Sequence, residues 1–268
     1  SRLRVLSSMF DEDEIPVPYL FRSYEEMPQI ERLALDRAHG RVLDVGAGAG
    51  CHSLYLQEHA GDRVEALLPI DISPLSCEAM HARGLANAQC INLYDPRLMG
   101  PFDTILMLMN GTGIVGKLRN MPDFLHRIYQ LLSDDGQLLI DSSDLKYLYE
   151  NEDGTYDIDP AGPYYGEVDY QMCYRKVKGE PFDWLYGVRM RTDDEVCSVV
   201  RKHPGIFALL CCCFKRILPA PVCKHHDEIG DLMRRFQLFK AFLRHIRAPQ
   251  NILLRSGDIV ICRNRRDP

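Results

Sequence analysis

The sequence predicts an α/β fold in which a mostly parallel sheet is flanked by helices, and two observations predict it. Residues 41–50 read Arg-Val-Leu-Asp-Val-Gly-Ala-Gly-Ala-Gly, an apolar run that breaks into alternate glycines before a helical pattern opens at His52. That is a buried strand, a tight turn and a helix start. Further apolar runs at 64–70, 88–93, 102–109 and 137–140 alternate with helical stretches. Continuous apolar strands of this kind are buried on both faces and joined by crossover helices.

The elements follow in order. Residues 1–22 open with an acidic run, Asp11-Glu12-Asp13-Glu14, which reads as an irregular, solvated stretch. Consecutive carboxylates cannot converge on one cation without spaced ligands and a glycine turn. A helix then starts at Pro28 and closes at Gly40, with Ile30, Leu33, Ala34 and Ala38 on one face. Helices at 52–60 and 74–83 are crossovers, and a helix at 122–132 turns Phe124, Leu125, Ile128, Leu131 and Leu132 inward. His39, His52, His59 and His81 show no metal-ligand spacing and read as surface or satisfied core residues. After a polar loop at 151–163, residues 165–177 alternate and turn at Lys178-Gly179-Glu180-Pro181 into Phe182-Asp183-Trp184-Leu185-Tyr186, an extra β-hairpin.

Composition sets limits. At 268 residues and 46% hydrophobic content the chain can bury one large core. No apolar stretch reaches the roughly 18 residues of a membrane span, and the N-terminus lacks a basic-then-apolar layout, so the expectation is a cytoplasmic protein with no membrane partner. The net charge of −6 hides an asymmetry: residues 1–187 hold 16 Lys+Arg against 30 Asp+Glu, residues 188–268 hold 16 against 8. Six of the ten cysteines also lie in the second part. Cys51, Cys77, Cys90 and Cys173 have no disulfide-framework spacing and read as small buried hydrophobes in a reducing compartment. The division is a lid segment and helix at 1–40, a core at 41–187, and a basic, Cys-rich segment at 188–268.

The chemistry concentrates at the glycine turn. Gly46, Gly48 and Gly50 can adopt backbone angles closed to other residues, and with Ala47 they let a bulky ligand lie against the main chain. The helix behind them presents free N–H groups and its positive dipole end. A dinucleotide fingerprint, G-x-G-x-x-G, places its third glycine one residue later, where this chain has Cys51. An acidic residue about 20 positions on, at the end of the second strand, accepts the ribose hydroxyls of a nucleoside; Asp71 stands there, and Ile72 would pack on the base. Asn110-Gly111-Thr112-Gly113 follows a central strand, where open α/β sheets hold ligands. Asp141-Ser142-Ser143-Asp144 reads as a ligand-facing strand end, but Ser/Asp clusters are ordinary loop material too and no role is assigned to it.

The pattern Asp-x-Gly-x-Gly-x-Gly, with Asp44 two residues before the first glycine, resembles motif I of the class I S-adenosylmethionine (AdoMet)-dependent methyltransferases. The resemblance covers about residues 15–187, through stretches at 19–28, 42–50, 69–73, 102–113, 136–142 and 180–186. It implies a Rossmann-like sheet with AdoMet as cofactor, and methyl transfer to an acceptor, a small molecule on this reading. It assigns the cofactor to Asp44, Gly46, Ala47, Gly48, Gly50, Asp71 and Ile72, with Asp95 on the adenine amino group and Asn110 on the methionine portion. Tyr19, Phe21 and Arg22, on a segment that lids the cofactor in such enzymes, are candidates for its carboxylate or for the substrate. Tyr164 and Tyr165 are candidates for an acceptor-pocket wall. No residue stands out as a catalytic base, no metal is implied, and the oligomeric state is not fixed.

From Gly187 onward the pattern departs from the family, which closes its sheet with another helix and an antiparallel strand pair. The apolar run at 206–214, an amphipathic run at 229–246 and a candidate hairpin across Ser256-Gly257-Asp258 leave three readings. The segment is a divergent closure of the sheet, a basic module for RNA or another polyanion, or a non-homologous end. The second makes a non-catalytic AdoMet-fold protein the rival function. Adjacent Cys211-Cys212-Cys213, with Cys223, His225 and His226, lack the C-x-x-C separation that a zinc site needs.

Overall fold

The computed structural model describes residues 2–159 and 161–187 in full and the backbone of residues 206–212. Its first sheet is built on β3 (Gly40–Val45), with β4 (Val64–Asp71) and β5 (Gln89–Cys90) added on one side and β6 (Phe102–Met107) and β7 (Leu132–Ser143) on the other. All of these neighbours pair parallel. The strand order therefore reverses between β3 and β6, and the carboxyl ends of those two strands mark the ligand crevice of a doubly wound sheet. The expected five-strand alternation stands, although the third strand shrinks from the expected 88–93 to two residues.

The helices are α1 (Gln29–Arg37), α2 (Cys51–His59), α3 (Pro74–Ala82) and α4 (Met121–Leu131). Alternate strand residues feed two cores. Leu43, Ile105, Leu138 and Ile140 pack against Phe124, Ile128 and Leu131 of α4; Val42, Leu106 and Leu139 pack against Leu35 of α1 and Leu56 of α2. Each such side chain contributes about 1.5–3 kcal/mol when fully buried, so the continuous apolar strands need a helix layer on both faces. On α1 the inward stripe is Ile30, Glu31, Leu35 and then Ala38, one step round from the expected Ile30, Leu33, Ala34 and Ala38, and it carries a buried carboxylate.

A strand β11 (Ile206–Cys212) lies antiparallel to β7, with Ile206 opposite Ser143 and Cys212 opposite Gln137. This backbone covers an edge that would otherwise offer unpaired N–H and C=O groups. The amphipathic run at 229–246, the hairpin around Gly257 and the Cys223, His225 and His226 group lie outside the described residues.

The stretch before α1 is more ordered than its acidic sequence predicts. β1 (Arg2–Leu6) and β2 (Asp13–Pro16) pair antiparallel and join a second sheet with β8 (Glu167–Tyr174), β9 (Val177–Lys178) and β10 (Phe182–Leu185), in the order β10-β8-β1-β2 with β9 on β8. The pairing sets Arg2 on Glu14 and Arg4 on Glu12, so two of the run's four carboxylates face cations across the hairpin.

The second sheet docks on the carboxyl ends of β6 and β7. Thr112 Oγ1 lies 2.9 Å from Leu185 O and 2.7 Å from Ser142 Oγ. Gly187 N donates to Ser143 O at 2.7 Å, and Leu118 N donates to Glu167 Oε1 at 2.9 Å. The closest approach is at Gly113, where an added Cβ would lie 1.8 Å from Trp184 Cε2. Gly113→Ala is therefore expected to lower the unfolding free energy by about 1–3 kcal/mol, read from the urea midpoint; an unchanged midpoint would show that the indole yields without cost.

Candidate functional site

The glycine turn is held by the strand beside it. Gly46 N and Ala47 N both donate to Ile70 O, at 2.9 and 3.0 Å, and Gly48 N donates to Asp71 Oδ2 at 2.9 Å. Gly46, Gly48 and Gly50 take φ of +72°, +58° and +80°, a region L side chains rarely occupy. An added Cβ at Gly48 would meet nothing within 4 Å, whereas one at Gly50 would lie 2.4 Å from Leu85 Cδ1. The middle glycine thus leaves open space for a ligand, and the last lets α2 settle against the loop behind α3.

Two carboxylates frame the turn. Asp71 also accepts from Ser73 N through Oδ1 at 2.8 Å, so both oxygens are oriented by backbone while lone pairs remain for a ligand's hydroxyls. Asp44 is buried at the end of β3 and takes Ser53 Oγ at 2.6 Å. Burial pushes its carboxyl above the usual range, against the pull of His52 and the Ser53 hydroxyl.

The 3-10 turn Val17–Phe21 and Arg22 come against this region. Arg22, 4% exposed, pairs with Glu31 of α1 and donates to Tyr19 O at 2.9 Å. His52 Nε2 of α2 lies 2.7 Å from the same Glu31 oxygen. Burial opposes ionisation of Glu31, but His52 and Arg22 outweigh it and hold the carboxyl below its usual range. The guanidinium stacks on the Tyr19 ring at 4.3 Å, and its Nε is sealed without a partner. Arg83, at the end of α3, donates to Ala49 O and lies 5.2 Å from the Phe21 ring. The expected lid residues Tyr19, Phe21 and Arg22 are thus brought to the glycine turn.

The remaining expected residues divide. Ile72 is 71% exposed beside Asp71, free to meet a flat ligand. Asp95 is engaged by Arg97 at 3.0 and 2.7 Å, which pushes its carboxyl down to about 2. Arg127 of α4 binds the carbonyls of Leu93, Asp95 and Leu98 and fixes that loop. Asn110 spends its side-chain oxygen on Ser143 N at 2.6 Å. Tyr164 donates to Gly187 O and Tyr165 to Asp144 Oδ1, both at 2.8 Å, so these phenols brace the docking of the second sheet.

Sequence reasoning passed over three residues. Glu31 hides within a helical pattern, Ser53 had no signal beyond its place behind Asp44, and Asp141 sat in a Ser/Asp run. Asp141 Oδ1 accepts from Asn110 N at 2.8 Å and Gly111 N at 3.2 Å. Burial pushes its carboxyl up to about 6, with Glu31 adding to the rise and the two N–H groups and His52 opposing it.

Met109 and Asn110 have φ of +64° and +63°, a costly conformation that persists where surroundings over-determine it. Cys51, Cys77 and Cys173 are buried free thiols, as expected, whereas Cys90 is exposed. Among the described residues no cluster of three or more His, Cys, Asp or Glu is placed to hold a metal, and no helix is long and apolar enough to cross a membrane.

A parallel sheet reversing at β3/β6, with an open glycine turn and acidic residues ending β3 and β4, defines a nucleoside-cofactor site. The chain is 55% identical to an S-adenosylmethionine-dependent methyltransferase from Bacteroides fragilis solved with S-adenosylhomocysteine, over 70% of this chain and 74% of that one, at a TM-score of 0.63. It therefore belongs to the S-adenosylmethionine-dependent methyltransferase family. A methyltransferase of the same cofactor class from Clostridium acetobutylicum matches at 10% identity over 69% of this chain and 82% of that one, with a TM-score of 0.44. No family model and no curated protein matches the chain.

The Arg22–Glu31–His52 network is testable as a structural unit. Breaking a buried ion pair from one side costs about 3–5 kcal/mol, so Glu31→Gln is expected to lower the unfolding free energy by that order at pH 7, measured in urea. Because the folded carboxyl is held low, its contribution is present above the unfolded pKa of about 4.3 and is lost as pH falls through the folded value. The gap between variant and wild type should accordingly narrow below about pH 4. A gap that stays constant there would rule out the charge as its source.

Proposed function

We propose that this protein transfers the methyl group of S-adenosylmethionine to a small-molecule acceptor. The observation that carries the reading is the turn Gly46–Gly50, open at Gly48 and tied to Asp71. Its relative from Bacteroides fragilis was solved with S-adenosylhomocysteine, the product of such a transfer. The residues present fit the cofactor: Gly48 leaves room for a ligand against the main chain, and the first turn of α2 supplies N–H groups.

When bound, AdoMet supplies a methyl group already activated by its sulfonium charge, so alignment and water exclusion carry much of the rate. On this reading Asp71 accepts the ribose hydroxyls and Ile72 covers the adenine. Gly46, Ala47, Gly48 and Gly50 lie along the methionine portion, and Asp44 sets the turn from below through Ser53. Tyr19, Phe21 and Arg22 close over it. The second sheet roofs the ends of β6 and β7, which supports a small acceptor over a polymer, as does the lack of proline and aromatic residues after Asn110.

The test is calorimetric titration of the full chain with AdoMet. Asp71→Ala and Gly48→Val are each expected to weaken binding by about tenfold or more, the equivalent of one good hydrogen bond or of local strain. Gly61→Val is the matched control, because Gly61 also has positive φ, +54°, and open space around it, but lies at the other end of α2. Binding that survives in both site variants would sink the reading.

A further inference from the structure

Asp141 closes β7, and strand alternation fixes its face. Ile140 belongs to the core under α4, Leu139 to the core under α1 and α2, so Asp141 shares the face of Leu139. Glu31 of α1, His52 of α2 and Tyr19 of the 3-10 turn are the titratable groups that act on it or answer to it from the elements packed there. It thus lies beside the end of β6, at the mouth of the crevice and one strand beyond the switch point.

The carboxylate is half committed. Oδ1 takes the backbone N–H groups of Asn110 and Gly111, beside the left-handed turn at Met109 and Asn110, which fixes its plane. Oδ2 accepts no hydrogen bond from the described residues, although the residue is only 9% exposed. This oxygen is not sealed from solvent, and a cationic N–H group is the donor that completes such a carboxylate most strongly. Among the described residues no side-chain cation does so: Arg22 is turned to Glu31 and Tyr19, and Arg83 to Ala49.

We propose that Asp141 Oδ2 seats a cationic N–H group of the bound ligand beside the methyl-transfer path. This rests on the reading of the crevice as an AdoMet and acceptor site. One chemistry, an ammonium, has two sources there: the α-ammonium of the cofactor's methionine portion, or an amine at the transfer position presented by the acceptor.

Three probes separate the sources by calorimetry on the full chain, wild type and Asp141→Asn, a variant that keeps the Oδ1 acceptor. S-adenosylhomocysteine carries the α-ammonium, 5′-methylthioadenosine lacks the amino-acid end, and sinefungin carries both the α-ammonium and a primary amine in place of the methylsulfonium. A loss of about tenfold or more for S-adenosylhomocysteine, with methylthioadenosine unchanged, assigns Oδ2 to the cofactor's ammonium. An equal loss confined to sinefungin assigns it to a cationic group at the transfer position rather than to the α-ammonium.

The wild type gives the same answer without a variant. Its preference for the affected probe over methylthioadenosine should fall as the pH drops from 7.5 to about 5, through the ionisation of Asp141, and the Asp141→Asn profile should be flat over that range. Equal affinities in both proteins for all three probes, or an equal loss for all three, overturns the assignment. Failure of the wild type to bind any probe overturns the cofactor reading as well.

Discussion

The structure depends on three backbone N–H groups of one glycine turn that end on one neighbouring strand. Gly46 and Ala47 share the carbonyl of Ile70, and Gly48 takes the carboxylate of Asp71. Three alternate positive φ angles fold the chain tightly enough for that strand end to receive all three donors. This constraint also explains why the third glycine comes one residue earlier than in the dinucleotide pattern. Gly50 is where the chain presses on Leu85 and Met80, so the requirement for helix–strand packing is met before α2 begins, and Cys51 is free to be its first residue.

A second constraint is electrostatic. Arg22, Glu31 and His52 come from the lid segment, α1 and α2, and one Glu31 oxygen serves both neighbours. Ionised Glu31 can only accept, so His52 Nε2 carries the hydrogen in this contact, an assignment made from the network. Apolar residues of similar volume can stabilise a core as well as a buried ion pair does. What the pair adds is register: the segment bearing Tyr19 and Phe21 has one seating relative to the helix that faces the crevice, because any other leaves a charge buried alone.

The sheet was legible because each long parallel strand carries an apolar run and each glycine of the turn has a backbone reason to be there. The place of Asp71 and Ile72 at the end of β4 was legible from distance along the chain alone, and the approach of Tyr19 and Arg22 to the turn was expected from the family resemblance. The rest needed contacts between distant residues. The Asp11–Glu14 run reads as solvated until β1 is laid against it and Arg2 and Arg4 meet Glu14 and Glu12. Glu31 reads as a surface helix position until Arg22 and His52 bury it. Asp141 is marked in the sequence only as part of a Ser/Asp run at a strand end, and what distinguishes it is burial and two N–H groups from the turn after β6. The residues 89–90 kept only two strand pairings, and Arg127 of α4 instead secures the loop after them through three carbonyls.

The two halves of the crevice are built by separate means. The glycine turn needs only β3, β4 and α2, whose geometry is closed by backbone bonds. The opposite wall needs the ends of β6 and β7 and the second sheet, joined by Thr112, Ser142, Gly187 and the fit of Trp184 on Gly113. That sheet draws its strands from residues 2–16 and 167–185, so both flanks of the parallel core meet over one side of the crevice. A change in the second sheet can therefore reshape that wall without touching a bond of the turn. Asp141 stands at the join, fixed by one oxygen to the turn after β6, and on our proposal its other oxygen is where a cationic group of the ligand meets this wall.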